Sequence, residues 1–385
     1  MFLLKLVLKN AFRHKLRAWL TILSVTIAIL AFGLLRTVID AWYVGAEESS
    51  PNRLITRNAV SMTFSLPLAY REKIARTPGV TQVCPASWFG GVYVDEKNFF
   101  PNFAVEPRSY FALYPEYVFS PEQQETFFRD RKGFAAGRKL TERFGWKIGD
   151  TVTLKGTIFP GNWEFVLRAV YHGRDENVDE RIFFFHWDYL NESLKQSAPS
   201  RADQVGAYVV GIDRPEIAAD VALAVDNTFK NSLAETLTET EKAFALSFVS
   251  MTEAIVTVIR LVSLAVIVII AAVAANTMSM TARERIGEFA VLKTLGFGGR
   301  RIAALILGES LVVALSGGLF GILFTFPAAA VFRSLLGNYF PVFQLSVRTL
   351  CLDGAAAFIV GAAAAIIPIW RTTSIKIAEA LRRIG

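Results

Sequence analysis

Four long apolar runs dictate what this chain can become. A helix that crosses a bilayer core needs about 20 mostly apolar residues. Residues 20–40 meet that requirement, broken only by Arg36 near the end. Residues 254–280 meet it with Arg260 close to their start, and 302–332 meet it with length to spare. Residues 349–370 complete the set, with Asp353 near the start. Whole-chain composition says less: 53% hydrophobic and 19% charged residues are only a modest departure from a soluble protein. What matters is that the apolar residues are concentrated, while 41–252 reads as ordinary soluble polypeptide. The expected fold class is an α-helical integral membrane protein with four transmembrane helices and one large extracytoplasmic α/β domain.

The first run reads as an uncleaved anchor. Its basic leader is long, its apolar stretch exceeds the 7–15 residues of a signal-peptide core, and no convincing small-x-small cleavage site follows. Residues 1–19 place Phe2, Leu3, Leu6, Val7 and Phe12 at helical spacing among Lys5, Lys9 and Arg13. That pattern predicts an amphipathic helix lying on the membrane lipid. Orientation follows from Lys and Arg near the span ends. The leader carries five, the 281–301 connector five and the 371–385 tail four, whereas the 333–348 connector has only Arg333 and Arg348. Both termini and the 281–301 connector are therefore expected in the cytoplasm. Segment 41–252 and the short outer loop are expected outside. The net charge of +7 is then mostly a topology signal and does not argue for nucleic acid.

Segment 41–252 mixes helix and strand patterns. Helices are expected over 68–76, 137–144 and 215–228; strands over 80–83, 90–94, around 152–154, 163–170 and 207–212. No catalytic or metal site is expected there. His172 and His186 lack partners at ligand spacing, no Gly-x-Ser-x-Gly occurs, and Asn191-Glu-Ser193 is a sequon by pattern only. The run from Asp175 to Glu180 reads as a solvated, charge-balanced loop rather than a calcium site. Cys84 and Cys351 fall in different regions and are not expected to pair; Cys84 reads as a small buried residue. The aromatics Trp88, Phe99, Phe100, Trp163 and Phe183–Phe185 are expected in the core rather than lining a groove.

From Thr238 the pattern turns helical. Thr238-x-x-Glu241 has the form of a capping box, and no Gly or Pro follows before Met280. One helix of that length would run about 60 Å, twice a bilayer core. Its first part, about 238–253, is therefore expected to stand outside as a stalk.

The connector contains Arg283-Glu-Arg-Ile-Gly-Glu-Phe-Ala-Val-Leu-Lys-Thr-Leu-Gly296. On a helix, Ile286, Phe289, Ala290, Leu292 and Leu295 fall broadly on one side, and Arg283, Arg285, Glu288 and Lys293 on the other. Gly296 is placed to end the helix at C′. A hairpin between spans needs only a few residues, so an amphipathic helix here suggests a knob for a partner's groove.

These residues resemble a known family. Asn276-Thr-Met278, Arg283–Glu288, Leu292-Lys-Thr-Leu-Gly296, Glu309-Ser310 and Gly317-Gly-x-x-Gly321 look like the permease domain of FtsX/MacB-type ABC transporters. Pro368-x-x-Arg371 and Ile377-x-Glu379-Ala-Leu-Arg382 look like its C-terminal pattern. Gly137-Arg-Lys-Leu140 with Ile148-Gly149-Asp150 resembles the MacB-type periplasmic core domain. The resemblance implies half of a dimeric transporter, paired with a second copy or a sister permease. It implies that Arg283, Glu284, Arg285, Ile286, Gly287, Glu288, Phe289, Leu292, Lys293, Leu295 and Gly296 form a coupling helix seated in a cytoplasmic ABC ATPase dimer. The motion would be carried to the outer domain, the mechanism called mechanotransmission. The chain has no Gly-x4-Gly-Lys-Ser/Thr phosphate loop, so it is not expected to be an enzyme or to hold a cofactor. ATP and Mg would be bound by the separate ATPase.

Within the spans, Gly317-x-x-x-Gly321 permits close helix approach, either between chains or within one. Glu309 is expected to play a structural, hydrogen-bonded role in membrane helix packing. Arg260 and Asp353 are candidates for an ion pair near the outer face. The expected function is a permease that powers export or extraction of a substrate outside the inner membrane, a periplasmic adaptor being a further partner the resemblance allows. The rival readings are a division-type regulator of a cell-wall hydrolase, a permease extracting lipoproteins or lipids, and a membrane receptor with no ATPase.

Overall fold

The computed structural model of the chain describes residues 2–47, 49–175, 177–336, 343 and 345–374. The tail pattern Ile377–Arg382, residues 337–342 and 344 of the 333–348 loop, and the side chains of Phe2, Leu3 and Lys5 lie outside the described residues. The described residues fall into two compact units, one built from residues up to Ala41 with Thr252–Leu336 and the chain from Phe343, the other from Trp42–Met251.

The first unit is made of helices: α1 (Phe2–Ala11), α2 (Lys15–Glu47, to Ala41 in this unit), α3 (Glu253–Glu284), α4 (Ile286–Thr294), α5 (Gly299–Leu336) and α6 (Val347–Ser374). Lys15–Ala41, Glu253–Glu284, Gly299–Arg333 and Val347–Ser374 are long and apolar enough to cross a membrane. Their shared core is small-grained: Val25, Ala28, Ala274, Ala275, Ala356, Ala357 and Ala364 are buried together. Small residues let backbones approach, which lipid-embedded helices need because apolar burial alone does not drive them together. Gly317 and Gly321 answer the question their spacing raised. A Cβ on Gly317 would stand 2.7 Å from the Val25 Cβ, and one on Gly321 2.8 Å from the Ile29 Cβ. Thr26 Oγ1 also donates to the Gly317 carbonyl at 3.1 Å. The pair therefore serves an intrachain contact between α5 and α2.

The expected Arg260–Asp353 pair is not formed. Arg260 is exposed, whereas Asp353 is 0% exposed and lies against Gly33 of α2. The reason is rotational: Asp353 points into the α2–α6 seam.

Besides a two-stranded sheet of Leu66–Pro67 and Gln204–Val205, the second unit is built on one mixed 11-stranded sheet. From edge to edge its main path runs through Thr236–Thr240, Arg53–Asn58, Ala207–Ile212, Val80–Trp88, Asn102–Val105, Phe183–His186, Gly133–Gly137, Gly161–Gly173, Thr151–Gly156 and Gly91–Val92. Alternation along Phe183–His186 sends Phe183 and Phe185 into one core and Phe184 into another. Both faces are thus covered. Phe100 and Trp163 are buried with them, as expected, but Trp88 and Phe99 are exposed. Cys84 is buried and Cys351 exposed, and both are free.

Several expectations are corrected. Residues 238–240 are not helical. Thr236–Thr240 is an edge strand, and Thr238 Oγ1 bonds Asp226 at 2.8 Å instead of capping a helix. Thr240 is the cap, its Oγ1 accepting the Ala243 N–H at 3.2 Å. The helical run is then Glu241–Met251 and α3, interrupted at Thr252, where ψ is 9°. The Asp175–Glu180 run is not wholly solvated. Glu180 is buried, accepts the Gly173 N–H at 3.0 Å and pairs with Arg138 at 3.2 Å. Asn191 of the sequon is buried and donates to Asp203 at 2.8 Å.

Arg53 joins the start and end of this unit. Its guanidinium pairs with Glu116 and with Glu241, both at 2.7 Å, and lies 4.0 Å over the Tyr114 ring. Glu241 opens the helix that leaves the sheet, so one buried cation holds the first strand and the exit helix together.

Candidate functional site

The site is the charged turn between α3 and α5. The helix does not run through it. Arg285 has ψ near 15°, so α3 stops at Glu284 and α4 restarts at Ile286. This break resets the helical phase that the sequence reading assumed continuous. Gly296 then closes α4 at φ +88°. The Gly296 N–H reaches the Lys293 carbonyl at 3.1 Å, and the Phe297 N–H reaches the Leu292 carbonyl at 3.0 Å. Leu292 and Phe297 pack against one buried cluster, completing a Schellman closure.

Arg285, expected on the polar face, is buried. Its Nη1 donates to Glu309 Oε2 at 2.7 Å and its Nε to Glu288 Oε2 at 3.0 Å. Its guanidinium also stacks 5.2 Å above the Phe289 ring. Burial disfavours that charge, but the hydrogen bonds and attraction of Glu309 and Glu288 together outweigh it and hold the guanidinium ionised. The bond to Glu309 ties Arg285, the residue before α4, to α5. Burial also works against the Glu288 charge, yet hydrogen bonds from Arg285 and Arg13 hold its carboxyl below the ordinary 4.5.

Two further cations come from the leader. Arg13 pairs with Glu288. Arg17 grips Glu284 with two hydrogen bonds, each 2.9 Å. Sequence reasoning missed these, because 267 or more residues separate the partners and no local pattern links them. Lys293 was also placed wrongly on the outer face. Its Nζ donates to the Thr372 and Thr373 carbonyls at 3.2 and 3.1 Å, closing the C-terminal end of α6. The leader, the turn and the ends of α5 and α6 thus meet at one end of the bundle.

Phe289 is 3% exposed and packs with Ala282, Ile302, Ile306 and Ala365. It is a foundation of the turn and not a docking residue. The outward apolar residues are Leu295, 70% exposed, and Val291, 46% exposed. Around them Arg283, Glu284, Glu288 and Thr294 are exposed, and Gly296 has open space where a side chain would stand. Ile286 and Gly287 are half-buried. Val291 was overlooked, although its spacing from Leu295 carried the signal. A cavity of about 30 Å³ beside the turn, walled by His14, Arg17, Thr281 and Glu309, has room for about one water. No cluster of metal-ligating side chains occurs among the described residues.

These features define a polytopic membrane protein with a rigid, ion-paired turn that presents a small apolar surface. Residues 260–377 match the family model of the FtsX-like permease C-terminal domain. No curated protein sequence matches the chain. Two solved structures are similar in part. One is the extracellular domain of the noncanonic ABC-type transporter YknZ from Gram-positive bacteria. It is 11% identical, covers 49% of this chain and all of its own, and has a TM-score of 0.35. The other is a domain described as from a permease protein of Porphyromonas gingivalis, 12% identical over 50% of this chain and 91% of its own, with a TM-score of 0.32.

Proposed function

We propose that this chain is the permease subunit of an ABC transporter, driven by a separate cytoplasmic ATPase that binds ATP and Mg and seats on α4. The observation that carries the reading is the contrast within α4. Its inner side is locked by Arg285, Phe289 and Lys293, while Val291 and Leu295 face outward beside the open Gly296. A lever needs both a rigid root and a gripping surface. The convergence of the basic leader and the basic turn at one end supports cytoplasmic termini at the inner membrane. Two permeases, identical or sister chains, would flank two ATPases. The outer unit would have the MacB-type core fold and receive the motion by mechanotransmission. Export or extraction of a substrate outside the membrane, with or without a periplasmic adaptor, is the work proposed.

The test is affinity purification of the tagged full chain from native membranes in mild detergent. An ABC ATPase should co-purify, and Leu295→Asp with Val291→Asp should remove it while the permease stays folded. Stability should change by no more than about 0.5 kcal/mol, since both residues lie on the surface. Phe289→Asp is the wrong variant, because it would unseat the turn itself. A folded permease recovered without any ATPase would sink the reading and leave a membrane receptor. A cell-wall hydrolase in the purified complex would instead favour division-type regulation.

A further inference from the structure

Two charged side chains in the α2–α6 seam have unmet hydrogen-bonding capacity, and they are complementary. Asp353 is fully buried, and neither carboxylate oxygen has a hydrogen-bond partner among the described residues. It fits only because Gly33 has no side chain: a Cβ there would stand 2.7 Å from Asp353 Oδ2. Arg36, on the next turn of α2, has a buried Nε without a hydrogen-bond partner among the described residues. Its ion pair with Asp40 is 3.7 Å long, beyond hydrogen-bond distance.

Asp40 does not depend on Arg36. It accepts the Thr349 hydroxyl at 2.7 Å and the Ser346 hydroxyl at 2.9 Å. These contacts fix the register, with Asp40 level with Thr349 and Gly33 level with Asp353. Arg36 lies between the two levels, three residues after Gly33 and four before Asp40, on their common helix face.

We propose that Arg36 is a two-position latch, paired with Asp40 in the conformation described here and with Asp353 in a second one. An ionisable group within a span is expensive unless partnered. In the second position Asp353 gains a donor and Arg36 Nε an acceptor, while Asp40 keeps both hydroxyls. The guanidinium has a long, flexible stem, so the exchange needs a helix shift of only about 1–2 Å, the scale common at packed helix interfaces. The first position is held by the close packing of Ala28, Ile29, Ala357 and Val360. Close packing makes such a seam switch between discrete arrangements rather than deform smoothly. The latch is independent of the ATPase reading, because it needs only α2 and α6.

The test uses the full chain in lipid nanodiscs with Cys351→Ala, carrying nitroxides at the exposed positions Ile27 and Phe358. Electron–electron resonance distances should show two populations. R36Q and D353N should each lose the second, and the exchange R36D/D353R should restore it. G33A, whose methyl displaces the Asp353 carboxyl, should enrich it. An R36Q distribution identical to the parent's overturns the latch. If D353N does not fold, R36Q and G33A decide between them: the latch stands only if they move the distribution in opposite directions.

Discussion

The two units hold themselves together in opposite ways. The sheet unit buries its largest side chains: Phe89, Phe134, Phe165, Phe183, Phe184, Phe185, Tyr171 and Tyr208 are all within the core. The helical unit buries alanine, glycine and valine, and turns Leu20, Leu23, Ile27, Leu264 and Phe324 outward. In water, removing a large apolar side chain from solvent stabilises the fold, so bulk goes inside. In hydrocarbon that gain between helices vanishes, and close backbone approach with selected polar contacts takes its place. Polar pairing is alike at the turn, where Arg285 is also held by two carboxylates and a ring, and differs in the α2–α6 seam. Arg53 in the sheet unit is held by two carboxylates and a ring, whereas Asp353 in the bundle has no hydrogen-bond partner among the described residues.

Bulk added to the bundle should give the largest effect. Gly317→Leu should abolish recovery of folded chain, because the branch would meet Val25 and the Ile22 carbonyl, already 2.8 Å from a Cβ alone. Fluorescence-detected size exclusion in detergent reads this directly, and normal recovery would break the comparison. The sheet unit should show the converse sensitivity. Phe183→Ala should cost about 3–5 kcal/mol by denaturant titration of the full chain.

Next comes the anchored turn. Arg285→Met alone should cost about 3–5 kcal/mol, because it leaves Glu309 buried without its cation. The double change Arg285→Met with Glu309→Met should recover most of that loss. Additive losses, measured in the same titration, would mean that the pair is not coupled.

The smallest effect is acidic. The folded-state pKa of Glu288 is depressed, so its stabilisation is complete above the unfolded value near 4.5. It is lost as pH falls through the depressed folded value. The side chain is 43% exposed, so after solvent screening the contribution should not exceed about 0.5 kcal/mol. Melting curves of the parent and Glu288→Gln between pH 3 and 6 should converge at the acid end. A constant gap across that range would show that Glu288 does not titrate with the turn.

Much of this was legible because it is written in local pattern. Apolar runs of span length, the Gly296 helix stop and the Ala207–Ile212 strand depend on neighbours in sequence. The edge strand Thr236–Thr240 was not legible, because it forms only by pairing with Arg53–Asn58. Its residues therefore carried a helical signal that tertiary context overrode. Phe183–His186 was missed for a related reason: a strand buried on both faces shows no alternation.

The sequence by itself determined that this is a membrane protein with one large α/β part, and that a charged helix stands at the turn before the third apolar run. Length and composition suffice for that, because bilayer thickness and backbone hydrogen bonding leave a chain few alternatives. Only the tertiary structure decided which residues of that turn face outward. A single non-helical residue, Arg285, shifts the phase of everything after it. Its partners Glu309 and Phe289, and the leader cations Arg13 and Arg17, then choose the inner side. Those choices depend on contacts between distant segments, which no local spacing encodes.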